Sequence, residues 1–287
     1  MCGIQWKSYS SHIHCHLKIF SMKHKPRMLI FAGYGLNCEE ETKYAFDSAG
    51  GTADIVHIND LIDGHVRIDE YQALAFPGGF SYGDDLGSGN AFANKVRNTI
   101  GDRLFEYVQG DKLVIGICNG FQILTNLGLL PSLYKSYDRQ VALLHNGSAR
   151  YTVRWVDVEV NNTTPWLRGI TKITLPIAHG EGRFYADKKT LQTIRKKRLV
   201  ALTYIKGDIY KMSKLPHNPN GAMDDIAGIT DDTGRVMGLM PHPERAVSFT
   251  QLPYWTLMKE QYLRRGKKIP EHGPGFALFE NAAKYFN

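Results

Sequence analysis

Short apolar runs alternate with segments of helical spacing through the first half of the chain. Four of these runs have the length of buried strands and lie at 28–33, 53–58, 73–79 and 112–118. Apolar residues at helical spacing follow the first, third and fourth runs, at 38–51, 91–110 and 119–130. Strands that alternate with helices build parallel sheets with both faces covered, so this half predicts an α/β fold.

The pattern changes after about residue 150. Strand-like runs follow one another at 151–160, 173–179 and 199–205. Residues 226–244 contain two further strand-like runs around an Asp-Thr-Gly turn, and the last residues, 275–287, predict a helix. We expect one α/β domain over 28–287, with a mostly parallel central sheet flanked by helices and a mixed or antiparallel extension.

The distribution of charge argues against a nucleic-acid partner. The formal net charge is +7, but residues 1–27 contain five Lys or Arg and no acid. The remaining body has 30 basic against 28 acidic residues. Its two basic clusters, at 194–198 and 262–268, are typical of solvated helix faces or loops. We therefore predict no nucleic-acid partner.

Residues 1–27 stand apart from the rest of the chain. They are basic, contain serine and histidine, and lack the long apolar stretch of a secretory signal. A transit peptide, a disordered extension and a start site placed too early, with Met22 or Met28 as the true one, all fit this composition. We favour a disordered or artefactual extension.

Hydropathy and cysteine content predict a cytoplasmic protein. No run reaches the roughly 18 consecutive apolar residues of a membrane-spanning helix, so no membrane partner is expected. The four cysteines, at positions 2, 15, 38 and 118, are too few and too scattered for a disulfide scaffold. No CxxC pair suggests zinc. A reducing cytoplasm fits best.

Cys118 lies where a predicted strand ends and a helix begins. In open α/β sheets this edge holds ligand sites, and the helix N-terminus favours a thiolate. Gly116 and Gly120 complete the pattern GxCxG, a tight turn that exposes a nucleophile and aims the backbone N–H of Asn119 at a reacting carbonyl. The alternative is a small buried thiol at a glycine-rich turn, since free cysteine is among the most buried residue types.

A thiol nucleophile needs a base and a group that orients the base. His242 and Glu244 lie two residues apart in MPHPER, and alternate residues of an extended chain face the same side. Pro241 and Pro243 should keep this segment extended, so that the carboxylate holds one tautomer of the imidazole. Without a cysteine elbow elsewhere in the chain, the same motif would be interpreted as a surface histidine beside a solvated glutamate. Glycines in FPGGFSYGDD, at 76–85, would let backbone N–H groups approach a substrate oxygen.

Four motifs together carry a family resemblance: GICNGFQ, FPGGFSYGD, AHGEGRF and MPHPER. They resemble class I (triad) glutamine amidotransferases, which have a flavodoxin-like fold, and among these the glutaminase subunits of phosphoribosylformylglycinamidine synthase. The resemblance spans nearly all of 28–287. It implies that Cys118 is the nucleophile, His242 the general base and acid, and Glu244 its orienting partner.

The same resemblance implies the surroundings of this triad. The backbone of Gly79 and Asn119 would form the oxyanion hole. Gln122, His179 and Glu181 would help to hold the substrate glutamine. No metal is implied in this chain.

The implied reaction is hydrolysis of glutamine to glutamate and ammonia through a cysteine thioester. The family passes the ammonia to a large synthetase subunit, in which ATP activates the formylglycinamide ribonucleotide of purine biosynthesis. A small third subunit is expected in the multi-subunit form. The sequence contains no GxxxxGK[ST] loop, so ATP and magnesium are expected in the synthetase and no cofactor in this chain.

Three other interpretations stay open. The chain could be a catalytically silent docking or regulatory subunit, or a hydrolase of another amide within the same superfamily. The opening MCGI resembles N-terminal-nucleophile amidotransferases, in which Cys2 becomes catalytic after removal of Met1. The basic stretch that follows lacks the β-strand pattern that such an enzyme needs next to its cysteine.

Overall fold

Eleven strands and eight α-helices form the part of the chain that the computed structural model describes, residues 25–85, 87–133 and 137–287. The strands are β1 (Arg27–Ala32), β2 (Thr52–His57), β3 (Ala73–Phe76), β4 (Leu113–Ile117), β5 (Ala142–His145), β6 (Thr152–Val160), β7 (Lys172–His179), β8 (Glu181–Tyr185), β9 (Val200–Ile205), β10 (Ile226–Thr230) and β11 (Val236–Leu239). The helices are α1 (Glu39–Ser48), α2 (Ile58–Ile62), α3 (Asn90–Tyr107), α4 (Asn119–Asn126), α5 (Lys188–Lys196), α6 (Asp208–Ser213), α7 (Trp255–Arg264) and α8 (Phe276–Tyr285).

Five parallel strands form one half of a nine-stranded sheet, in the order β2-β1-β3-β4-β11. Every residue of β3 and β4 is buried, because helices cover both faces of a parallel sheet. The order is that of flavodoxin-like folds, in which ligands bind at the carboxyl ends of the strands. The four strands predicted in the first half are present, and the predicted α/β fold is confirmed.

The other half of the sheet is antiparallel and continues through β10, β9, β6 and β7. Asp231 shapes the turn between β10 and β11, where it accepts hydrogen bonds from the backbone N–H of Val236 and from the Thr233 hydroxyl. Residues of β7 alternate between buried and more exposed positions, as expected for a strand with one covered face. The predicted antiparallel extension is confirmed.

Several elements of the second half are not predicted by the sequence pattern. β5 and β8 pair with each other outside the main sheet, and α5, α6 and α7 lie between or after the predicted strands. Asp187 caps α5 by accepting hydrogen bonds from the backbone N–H groups of Lys189 and Thr190. The basic clusters at 194–198 and 262–268 occupy the last turns of α5 and α7 and the residues that follow.

The predicted extension of residues 1–27 lies almost wholly outside the described residues, as do Cys2 and Cys15. Arg27 already belongs to β1, so the sheet begins just before the predicted boundary. Within the described ranges, no helix has the length and apolar character needed to cross a membrane.

Gly238 of β11 lies directly against α4 and offers a test of this packing. A Cβ there would approach Phe121 Cδ2 to 2.1 Å and Leu130 Cδ1 to 2.7 Å. We expect Gly238→Ala to lower the free energy of unfolding by about 1–3 kcal/mol, the usual cost of overpacking. Gly110→Ala is the control, because its nearest contact would be 3.4 Å away, and it should change that free energy by less than about 0.5 kcal/mol. Equal losses in urea unfolding would contradict the packing described.

Candidate active site

Cys118 stands at the turn between β4 and α4 in a strained conformation. Its φ of +52° and ψ of −106° are unusual for any residue other than glycine. The flanking glycines make the turn possible, because a Cβ on Gly120 would lie 1.8 Å from the Phe76 carbonyl oxygen and one on Gly116 would lie 2.6 Å from the Gly120 oxygen. This is the geometry of a nucleophile elbow, which holds a reactive side chain at the end of a strand.

His242 comes near Cys118 because β11 is the parallel neighbour of β4. The register pairs Ile117 with Leu239, and the backbone N–H of Cys118 donates to the Leu239 carbonyl at 2.8 Å. The chain leaves β11 at this edge and reaches His242, whose own backbone N–H donates to the Pro176 carbonyl at 2.8 Å. Two strands that lie far apart in the sequence thus deliver the thiol and the imidazole to the same edge.

The His242 imidazole and the Glu244 carboxylate form a buried pair. Nδ1 lies 2.5 Å from Oε1, and neither side chain is more than 3% exposed. Nδ1 donates to the carboxylate, whereas Nε2 has no hydrogen-bond partner among the described residues. Burial opposes the charged imidazolium, but the charges of Glu244 and Cys118 outweigh it and raise the His242 pKa well above its ordinary value.

The prediction that the MPHPER segment is extended is wrong from Pro243 onward, although His242 itself has extended backbone angles, with φ −103° and ψ 92°. Pro243–Arg245 form a 3-10 turn that starts at His242. The turn folds the Glu244 carboxylate back onto the imidazole, so the two side chains meet for a different reason from the one expected. The fixed φ of proline suits the first position of a helical turn as well as an extended chain, which is why the sequence could not separate the two.

Gly79 and Asn119 present backbone N–H groups beside the elbow. Gly79 forms an isolated antiparallel bridge with Leu36, in which the hydrogen bonds are made by the residues on either side. In such a pair the N–H of Gly79 itself points away from Leu36. Asn119 is the first residue of α4, so its N–H has no acceptor within the helix. The Asn119 side chain also holds the glycine-rich loop, since its Oδ1 accepts the Ser81 N–H at 3.1 Å.

Gln122 and His179 are engaged within the protein. Gln122 Oε1 accepts a hydrogen bond from Asn119 Nδ2 at 2.8 Å, and its Nε2 donates to the Glu181 carbonyl oxygen. Asn146 Oδ1 accepts the Gly182 N–H and faces His179 Nδ1, so this ring nitrogen carries the proton. Burial lowers the His179 pKa to about 3, which keeps the ring neutral.

Glu181 reaches a cavity of about 220 Å³ next to α4. Its carboxylate accepts the Ser88 N–H at 3.3 Å and lies 3.2 Å from His145 Nδ1. Gln122 and Arg139 also line this cavity. A carboxylate and a guanidinium suit the ammonium and carboxylate groups of a free amino acid. Ser88 and Arg139 could not be found from the sequence, because neither belongs to a recognisable motif.

Cys38 is a further site residue that the sequence reasoning missed. Its Sγ, one ring nitrogen of His242 and one carboxylate oxygen of Glu244 all lie within 4.8 Å of one another. Arg245 Nη2 donates a hydrogen bond to Sγ at 2.9 Å. Burial raises the Cys38 pKa, although His242 opposes this effect. One signal was present, because Cys38 follows the first predicted strand as Cys118 follows the fourth.

Comparison with known proteins relates this site to one family. The sequence model of the CobB/CobQ-like glutamine amidotransferase domain matches residues 25–286. A phosphoribosylformylglycinamidine synthase subunit PurQ from Methanococcus maripaludis strain C7 is 48% identical over 266 residues, which cover 91% of this chain and 98% of that protein. The PurQ subunit from Dehalococcoides mccartyi is 40% identical, with the same two coverages.

Solved structures agree with the sequence comparison. A chain in the structure of PurLQS from Thermotoga maritima matches with a TM-score of 0.66 and 31% identity, covering 92% of this chain and 100% of that one. A glutamine amidotransferase from Thermotoga maritima shares the fold at 14% identity, with a TM-score of 0.52 over 92% of this chain and 99% of its own. The chain therefore belongs to the CobB/CobQ-like glutamine amidotransferases, and within them to the PurQ subunits of phosphoribosylformylglycinamidine synthase.

Proposed function

We propose that this chain is the glutaminase of a phosphoribosylformylglycinamidine synthase. It hydrolyses glutamine to glutamate and ammonia and supplies the ammonia to a synthetase subunit. That subunit uses ATP to convert formylglycinamide ribonucleotide to formylglycinamidine ribonucleotide in purine biosynthesis. The observation that carries the proposal is a strained thiol, Cys118, that acts electrostatically on the buried pair of His242 and Glu244 in a chain of the PurQ family.

The reaction begins when the Cys118 thiolate attacks the side-chain amide carbon of glutamine. His242 holds the proton taken from the thiol and gives it to the departing nitrogen, so that ammonia leaves and a thioester remains. Water then attacks the thioester carbon, with His242 Nε2 as the base, and glutamate leaves as the thiol is restored. Glu244 keeps the proton on Nδ1 and stabilises the imidazolium that forms in each half of the cycle.

The tetrahedral oxyanion of both steps lies between the N–H groups of Gly79 and Asn119. These groups are fixed by the backbone before substrate arrives, so no reorganisation is needed when the charge develops. Glu181, on the wall of the neighbouring cavity, holds the ammonium group of the substrate glutamine. Gln122 and His179 support this wall through their hydrogen bonds to the Glu181 carbonyl and to Asn146.

Two partners follow from this role. A large synthetase subunit of the PurL type receives the ammonia, and a small subunit of the PurS type completes the complex, in line with the PurLQS assembly that contains a related chain. ATP and magnesium belong to the synthetase, because every step assigned to this chain is acid-base and nucleophilic chemistry by its own side chains. A cytoplasmic location and the absence of a nucleic-acid partner remain predictions.

Removal of the nucleophile should abolish the glutaminase reaction and spare the synthetase reaction. We expect Cys118→Ala, in complex with the synthetase, to lose glutamine-dependent product formation by at least ~10³-fold and to keep product formation from added ammonium salt. Glu244→Gln should lower the glutamine-dependent rate by about 10²-fold or more, because the wrong tautomer of His242 is then allowed. Glu260→Gln, at a largely exposed side chain of α7, is the control for the loss of a glutamate charge and should have no effect.

The same assay decides between the other interpretations. A silent docking subunit would give ammonium-dependent but no glutamine-dependent activity in the unchanged complex. A hydrolase of another amide would not make the synthetase glutamine-dependent. If Cys118→Ala kept full glutamine-dependent activity and a chain starting at Met28 lost it, the role of nucleophile would be reassigned to Cys2.

Gly79→Ala tests the oxyanion hole. A Cβ there would lie 2.5 Å from the Gly35 carbonyl oxygen and 2.7 Å from Leu36 Cα, so the turn must move. We expect kcat for glutamine hydrolysis to fall by about 10²–10³-fold with little change in KM, the usual result of losing an oxyanion donor. Gly64→Ala, also at positive φ but with no atom within 4 Å, should leave both constants unchanged. An increase in KM alone would assign Gly79 to substrate binding instead.

A further inference from the structure

We propose that Cys38, His242 and Glu244 form an inhibitory binding site for a thiophilic divalent cation of the zinc class. The three residues offer a thiolate, an imidazole nitrogen and a carboxylate oxygen, which are the ligands that zinc prefers. Their ligand atoms lie within 4.8 Å of one another, and all three side chains are buried. The site is distinct from the nucleophile, because Cys118 is not one of its ligands.

The geometry needs only small side-chain movements. Zinc binds sulfur at about 2.3 Å and nitrogen or oxygen at about 2.0–2.2 Å, so the ligand atoms of a tetrahedral site lie roughly 3–4 Å apart. Glu244 Oε2 and His242 Nε2 have no hydrogen-bond partner among the described residues. Gly78 leaves the space for the ring and the thiol, since a Cβ there would lie 2.7 Å from His242 Cε1 and 3.0 Å from Cys38 Sγ.

Arg245 competes with a metal ion for the Cys38 thiolate, and its movement would open the site to solvent. Its Nη2 donates to Cys38 Sγ at 2.9 Å, so a guanidinium already stands where the thiolate would meet a metal. The side chain is 37% exposed and its Nε lies 3.7 Å from Glu41 Oε1, so it can move toward Glu41 and open a path from solvent. A divalent cation would then balance the charges of one thiolate and one carboxylate.

Metal binding would inhibit the glutaminase reaction although the metal does not bind to Cys118. It would take the Glu244 carboxylate from the imidazole and engage His242, which then could neither hold nor return the proton of the thiol. This inhibition rests on the proposed glutaminase function, whereas binding of the metal does not. The two can therefore be measured separately.

Binding is measured with cobalt(II) on the full chain carrying Cys2→Ser, Cys15→Ser and Cys118→Ala. Of the four cysteines in the sequence, this variant keeps Cys38 alone. We expect a thiolate-to-cobalt charge-transfer band that saturates at one equivalent and that zinc displaces. Adding Glu244→Gln should weaken the affinity by about 10-fold or more. Adding Arg245→Gln should strengthen it, because the competing cation is gone. No band, or a band that neither change affects, would overturn the proposal.

Inhibition is measured in the complex with the synthetase, with free zinc set by a chelator buffer so that the histidines near the N-terminus do not change its concentration. Rates are normalised to the zinc-free rate of each variant. We expect Cys38→Ser to raise the half-inhibiting concentration of zinc by about 10-fold or more. Ammonium-dependent product formation should resist zinc in both forms. Equal inhibition of both forms would assign the effect to Cys118 and overturn the regulatory role.

Discussion

The parallel register between β4 and β11 is the constraint on which the candidate active site depends. It pairs Ile117 with Leu239 and joins the Cys118 N–H to the Leu239 carbonyl at 2.8 Å. Both strands are buried on both faces, so a shift of one residue would exchange the side chains of the two faces and break their close packing, such as that of Gly238 against Phe121 and Leu130. The position of the imidazole relative to the thiol is thus fixed by apolar residues that take no part in the chemistry.

The end of β3 and the residues after it add a second constraint, because they pack against both the elbow and the histidine. The Phe76 carbonyl oxygen occupies the space beside Gly120, and Gly78 lies against the His242 ring. Neither approach leaves room for a Cβ. The backbone of this segment therefore touches both the Cys118 turn and the His242 ring, so one glycine-rich turn can present the Gly79 N–H, the proposed oxyanion donor, and limit movement of the imidazole.

The sequence predicts the elements that a local pattern of residues specifies, namely the buried parallel strands and the turn at Cys118. Buried parallel strands are continuous apolar runs, and a thiol between two glycines at the end of such a run indicates an elbow. β5 and β8 are short and pair only with each other, so neither shows a long alternation. The turn at Pro243–Arg245 was misread because proline permits both conformations.

Long-range contacts explain what no local pattern could show. Cys38 comes beside His242 because β1 and β3 are neighbours, and the Asn37 and Cys38 N–H groups both donate to the Gly78 carbonyl oxygen. The sequence places Cys38 at the correct edge of the sheet but gives no measure of its distance from MPHPER. The pairing of His179 with Asn146 likewise depends on the small sheet formed by β5 and β8, which brings the ends of β5 and β7 together.

The proposed triad and the proposed metal site have a common physical origin in the burial of Glu244. A carboxylate that must fix a tautomer has to lie close to the ring and away from water, but a buried charge is costly unless other charges compensate it. His242 provides one partner at Nδ1, and Arg245 approaches the same carboxylate oxygen to 4.0 Å while it donates to Cys38. The guanidinium is only half-buried and can leave, whereas the carboxylate cannot. The arrangement that suits His242 to its proposed role as a base therefore keeps a buried carboxylate beside a thiol, and departure of the guanidinium would leave both as ligands of the proposed metal site.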